Sequence, residues 1–147
     1  MISPEDPTHL EPLTILDEPD QRDIQYLEDT LDEYNMAHTG ITDGRRLAII
    51  LRDGHNDIIA GLNGWTWGCT CEIKTLWVHE QWRGKGLGTR LMTAAIAEAR
   101  TRGAAQMVLS THSFQAPDFY RRLGFEPVGC VEDYPLGYQS IYLRKWL

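Results

Sequence analysis

Leu76-Trp77-Val78-His79-Glu80-Gln81-Trp82-Arg83-Gly84-Lys85-Gly86-Leu87-Gly88-Thr89-Arg90-Leu91 is the stretch on which the reading of this chain turns. An apolar strand end runs into Arg83-Gly84-Lys85-Gly86-Leu87-Gly88, and Leu91, Met92, Ala95 and Ile96 then recur at helical spacing. The pattern predicts strand, glycine loop and helix in immediate succession. Glycine lets the backbone turn tightly and expose its N–H groups, and the first turn of a helix adds unpartnered amides and the positive end of the macrodipole. Such a loop suits an anion, and phosphate above all.

Upstream, Glu72 to Val78 reads as the strand that feeds the loop, after a stretch alternating through Trp65, Trp67, Cys69 and Cys71. Arg46 to Arg52 and Ile58 to Gly61 read as two strands joined by a tight Asp53-Gly54 turn. Before them, Ile24, Leu27, Leu31 and Tyr34 mark an amphipathic helix that starts after Pro19 and ends near His38 to Gly40. Leu13 to Leu16 reads as a short first strand, and residues 1–12, rich in proline and acid, as an extended leader.

Downstream, Thr89 to Arg100 is an alanine-rich helix stopped by Arg102-Gly103, and Gln106 to Ser110 is a short buried strand. The helix between them makes that strand parallel to the one before the loop. A second helix spans Ala116 to Leu123, and Phe125 to Val131 and Ser140 to Trp146 form a closing pair of strands. The expected class is therefore mixed α/β of the α+β type: one domain over residues 1–147, its sheet mainly antiparallel with one central parallel pair.

Composition narrows the function. The hydrophobic share of 42% is ordinary for a globular protein, and a formal charge of −7 argues against coating nucleic acid, which needs a basic face. An acidic chain favours a cationic acceptor. No apolar run reaches the length of a membrane span and the N-terminus lacks a signal pattern, so the cytoplasm is the expected location. Cys69, Cys71 and Cys130 are then expected as reduced thiols. The Cys69-x-Cys71 pair has no second ligand pair at metal spacing, and no metal is expected.

Two phosphate loops fail the spacing test. A P-loop needs Gly-Lys-Ser/Thr, which Gly84-Lys85-Gly86 does not supply, and a dinucleotide fingerprint needs Gly-x-Gly-x-x-Gly after the first strand of a parallel unit. Arg83-x-x-Gly86-x-Gly88 instead satisfies Arg/Gln-x-x-Gly-x-Gly/Ala at every position, and Ser113-Phe114-Gln115-Ala116-Pro117-Asp118-Phe119-Tyr120-Arg121-Arg122-Leu123-Gly124-Phe125 is similar to Asn-x-x-Ala-x-x-Phe-Tyr-x-x-x-Gly-Phe, with Ser113 where Asn is usual. On these two motifs the chain resembles the GNAT superfamily of acetyl-CoA-dependent N-acetyltransferases.

The resemblance implies helices on both faces of the sheet and acetyl-CoA as cosubstrate. It places Arg83, Gly84, Lys85, Gly86, Leu87, Gly88 and Thr89 at the CoA pyrophosphate. Leu76, Trp77 and Val78 would pair with the pantetheine arm as an added strand would, with a Val78 N–H facing the thioester oxygen. Ser113, Ala116, Phe119 and Tyr120 complete the cofactor side. Tyr120 matches the tyrosine that protonates the departing sulfur, a role suited to a phenol with a reference pKa of about 10; as residues alone, Phe119-Tyr120 is equally a core aromatic pair.

Glu72, opening a Glu-Ile-x-x-x-x-Val run similar to that of the histone-acetylating branch, is the implied general base; its rival reading is a solvent-facing strand carboxylate. Glu33, Tyr34, Trp65, Trp67, Trp77, Glu132, Asp133, Tyr134 and Tyr138 fall where the family builds its acceptor cavity, and His112 is placed to relay a proton. The acceptor would be the primary amine of a small molecule or of a protein, and, family members often being dimers, a homodimer is open. A chain that kept the loop but lost turnover would instead be an acyl-CoA-binding sensor.

Overall fold

The computed structural model describes residues 11–147, which fall into two compact units, one ending at Gly40 and one spanning Ile41–Leu147. Most of the expected leader, residues 1–10, lies outside the described residues. In the first unit, helix α1 (Gln21–Thr39) follows the amphipathic pattern. Asp20 caps it by accepting from the Arg22 N–H at 2.8 Å, and the Gly40 N–H closes it on the Met36 carbonyl at 2.9 Å. The expected strand at Leu13 to Leu16 is not formed. A strand exists through a ladder partner, and these four residues, preceded by Pro12, pair with none.

The second unit is a six-stranded mixed sheet in the order β1-β2-β3-β4-β6-β5: β1 (Arg45–Arg52), β2 (Ile58–Trp67), β3 (Thr70–Val78), β4 (Gln106–His112), β5 (Glu126–Glu132) and β6 (Gln139–Trp146). Only β3 and β4 run parallel, joined through α2 (Leu87–Thr101), while α3 (Pro117–Arg122) links β4 to β5. The α+β class with one parallel pair is as read from the sequence. The alternating run from Trp65 to Cys71 is divided, however: Gly68-Cys69 is a two-residue turn, so β2 and β3 form a hairpin. Among the described residues no helix is long and apolar enough to cross a membrane.

One face of the sheet carries the core. Leu62 of β2, Ile73 of β3, Met107 and Leu109 of β4 and Leu143 of β6 are buried with Leu91, Met92, Ala95 and Ile96 of α2. Each large apolar side chain so buried contributes about 1.5–3 kcal/mol. Arg102, just past the end of α2, bolts the helix to the sheet: its guanidinium donates to Glu98 Oε1 at 2.7 Å and to the Arg46 carbonyl at 3.0 Å. Cys71 sits in this core, where burial pushes its thiol up to about 11, so it is a packing residue rather than a nucleophile.

The strand leading to the glycine loop is not regular. Asn63 pairs with Thr75 but Gly64 pairs with Ile73, which leaves Lys74 as an extra residue in β3. The bulge shifts the alternation: Cys71 and Ile73 face the core before it, Leu76 and Val78 after it. It also brings two backbones unusually close, since a Cβ on Gly64 would stand 1.9 Å from the Glu72 carbonyl oxygen and 2.9 Å from its carbon. Only a residue without a side chain fits there. Gly64→Ala is expected to cost about 3 kcal/mol through backbone displacement, measured as a loss of roughly 6–12 °C in Tm; a variant melting with the wild type would show that the strands tolerate a shift.

Candidate active site

Parallel pairing between β3 and β4 covers only Thr70–Ile73 against Gln106–Leu109. Beyond it the strands part, so Thr75–Val78 keeps a ladder neighbour on the β2 side alone, and Lys74 has none on either side. The gap opens into a cleft of about 1070 Å³ bounded by this free edge, the glycine loop, the start of α2, the end of β4 and α3.

The loop is shaped by backbone conformation. Gly84 (φ 71°) and Gly86 (φ 78°) adopt left-handed geometry, and a Cβ at either would meet nothing within 4 Å, so they serve the turn and leave the space above it open. Gly86 is also the N-cap of α2, and no side chain caps that helix, which leaves its first amides for a ligand. At Gly88 the reason is packing: the Phe119 ring lies 3.2 Å from where a Cβ would be. Arg83 is held by its Nε donating to the Val78 carbonyl at 2.9 Å, tying the loop to the strand end.

Of the residues expected on the cofactor side, Leu76, Trp77, Val78, Arg83, Gly84, Gly86, Leu87, Gly88, Thr89, Ala116, Phe119 and Tyr120 line this one cleft. Lys85 does not: its ammonium lies 4.9 Å above the Trp82 ring, and it is Trp82 that faces the cleft. Ser113 does not either, because its Oγ accepts the Gln139 N–H at 3.0 Å and is turned toward β6. The sequence reading missed Lys74, Thr75, Trp82, Ser110, Thr111, Phe114, Gln115 and Arg122, all of which line the cleft. Arg122 lies one helical turn from Phe119, a spacing that could have revealed it.

The charge of the lining is one-sided. Lys74, Arg83 and Arg122 contribute to it and no Asp or Glu does, although the chain carries a net charge of −7. Tyr120 is buried to 8% exposure with its ring edge-on to Phe119 (5.0 Å) and Phe125 (5.9 Å), and burial raises its phenol above the ordinary value, keeping it protonated.

Glu72 lies outside the cleft lining. Its cross-strand neighbours are Trp65 and Val108, and it faces away from Cys71 and Ile73, half-buried on the other side of the sheet. Of the residues expected at the acceptor, Trp77 lines the cleft, whereas Trp67 spends its indole N–H on the Ile41 carbonyl at 3.0 Å. Glu33 and Tyr34 belong to the first unit.

Residues 10–125 match the model of the acetyltransferase (GNAT) family. The chain belongs to that family. It is 33% identical over 119 residues to acetyltransferase Atu2258 of Agrobacterium fabrum, covering 81% of this chain and 87% of that one. Blasticidin-S acetyltransferase of Streptomyces morookaense is 39% identical over 95 residues, 62% of this chain and 68% of its own. The crystal structure of an acetyltransferase from Bacillus cereus superposes with a TM-score of 0.74 at 26% identity, covering 91% of this chain and 98% of the other. As a GNAT member the chain is an acetyltransferase.

Burial raises the Glu72 carboxyl above 4.5, with the charge of Lys74 pulling the other way. A raised carboxyl pKa makes the folded state hold the proton longer than the unfolded chain does, so stability falls as pH rises through the folded value. Glu72→Gln should therefore melt above the wild type at neutral pH, with the gain vanishing below about pH 4 where both states are protonated. Tm measured across this range checks it; a gain independent of pH would place the effect in packing instead.

Proposed function

We propose that this chain takes an acetyl group from acetyl-CoA and delivers it to the primary amine of a small molecule. The observation that carries the reading is the meeting, in one cleft, of an uncapped helix start behind a glycine loop, a free strand edge and cationic side chains with no carboxylate among them. These fit a long donor with a diphosphate at one end and amides along its arm. The fit is to backbone: the space above Gly84 and Gly86 is clear to 4 Å, and Lys74–Val78 has an unladdered side. A small-molecule acceptor is supported by the relative named for blasticidin S.

Bound acetyl-CoA would supply the acetyl group already activated as a thioester. The amides from Gly84 to Thr89 and the dipole of α2 would hold the diphosphate, Arg83 adding charge from its anchored position. The edge of β3 would align the arm and present a Val78 N–H to the carbonyl oxygen. As the amine nitrogen bonds to the acetyl carbon and the carbon–sulfur bond breaks, Tyr120 gives its proton to the sulfur. The amine proton would pass by way of water to Glu72, which stands outside the cleft lining and whose raised pKa makes it a better base than an ordinary carboxylate.

Acetyl-CoA at about 100 times its Kd should stabilise the protein by about 2.7 kcal/mol, read as a rise in Tm. Thiol release with a panel of small amines should exceed hydrolysis, and Tyr120→Phe should lower kcat about 100-fold or more while acetyl-CoA affinity stays within about twofold. Full turnover in Tyr120→Phe would remove the acid role, and no Tm shift at saturating acetyl-CoA would remove the reading as a whole.

A further inference from the structure

Where the donor cleft ends, a row of four aromatic rings begins. His112 and Phe114 stack with centroids 5.4 Å apart and planes 3° from parallel, Tyr134 meets His112 edge-on at 5.2 Å, and Tyr138 meets Phe114 edge-on at 5.0 Å. Phe114 also lines the cleft, so the row continues it toward the β5–β6 loop. Phe114, Tyr134 and Tyr138 remain 54%, 55% and 49% exposed. Single exposed rings are unremarkable on a protein surface, but these are contiguous and lie at the mouth of a cleft.

The row is held rigidly. The Ser113 N–H donates to the Gln139 carbonyl at 2.9 Å and the Gln139 N–H returns to Ser113 Oγ at 3.0 Å, which locks the end of β4 onto β6. The His112 Nδ1–H donates to the Tyr134 carbonyl at 2.9 Å. Inside the loop, the Tyr134 N–H bonds the Tyr138 carbonyl at 3.1 Å and the Gly137 N–H bonds Asp133 Oδ1 at 3.1 Å. With the backbone under the rings held in this way, little of the chain has to be ordered on binding. Glu132 and Asp133, both exposed, put negative charge at the start of the same loop, in contrast to the cationic donor cleft.

We propose that this row is the acceptor platform and that the acceptor class is a cationic amine with a flat, unsaturated body, its ring seated against Phe114 and Tyr138 and its positive charge drawn by Glu132 and Asp133. The proposal rests on the acetyltransferase reading above and adds the shape and charge of the second substrate. Aromatic partners gain edge and stacking contacts that a puckered ring of the same size cannot make, and a cation gains from the ring faces and from the carboxylates alike.

Benzylamine and cyclohexylmethylamine carry the same charge and differ chiefly in planarity. Titrated calorimetrically into the CoA-saturated protein, benzylamine should bind about tenfold more tightly, a ratio that Tyr138→Ala brings to about one and Tyr138→Phe preserves. Equal affinities in the wild type, no measurable benzylamine binding, or a ratio unchanged in Tyr138→Ala would each overturn the platform. Because binding is read without turnover, a preserved ratio with no acetyl transfer would count against the acetyltransferase reading and leave the platform standing.

Discussion

The close approach of Gly64 to the Glu72 carbonyl is the contact on which the rest of the site depends. It exists because β3 carries one residue more than β2 across that point, and the surplus residue, Lys74, has no ladder partner. A bulge bends and twists its strand. Pairing with β4 accordingly stops at Ile73 and Leu109, one residue short of the bulge, and leaves the gap that opens into the cleft. The strand edge it frees is the one proposed for the donor's amides, and the shifted alternation lets Leu76 and Val78 keep the core closed beneath it.

A chain with a net charge of −7 holding a polyanion is consistent once charge is considered locally. Screening in physiological salt confines the reach of an exposed charge to about 8 Å, so a ligand responds to the groups beside it and not to the sum over the molecule. The cleft presents Lys74, Arg83 and Arg122 without a carboxylate, while Glu132 ends β5 and Asp133 opens the loop that joins it to β6. Two substrates of opposite charge can then be drawn to different parts of one site without competing for it.

What the sequence disclosed was local. The glycine spacing, the helix after it and the crossover to a parallel strand are each written within about two dozen residues, and each is present. What it hid was non-local or a matter of phase. The hairpin turn at Gly68-Cys69 was invisible because the alternation of Trp65, Trp67, Cys69 and Cys71 runs through it unbroken. The side of the sheet that Glu72 faces depends on Lys74 being the surplus residue, which is a property of the pairing with β2. Ser113 stands where the motif requires it, yet its hydroxyl is claimed by Gln139, 26 residues on. Phe114 falls at a position that the motif leaves free, so only the folded arrangement brings it to the cleft.

The two halves of the site are built from different materials, and that difference has a consequence. The donor half proposed for this chain is chiefly backbone: left-handed glycines, helix-start amides and a strand edge. Backbone recognition needs a particular path of the chain and little else, so it survives wide change in side chains as long as the path is kept. The acceptor half proposed for this chain is side chain throughout, on a strand end and a loop whose backbone, apart from the bond of the His112 ring to the Tyr134 carbonyl, is held by hydrogen bonds that do not depend on the rings it carries. Substituting the rings would alter the acceptor and leave the donor machinery untouched. A fold so divided can hold one donor and be refitted for many amines, which is why membership of the family establishes acetyl transfer for this chain while its acceptor must be argued from Phe114, Tyr134 and Tyr138.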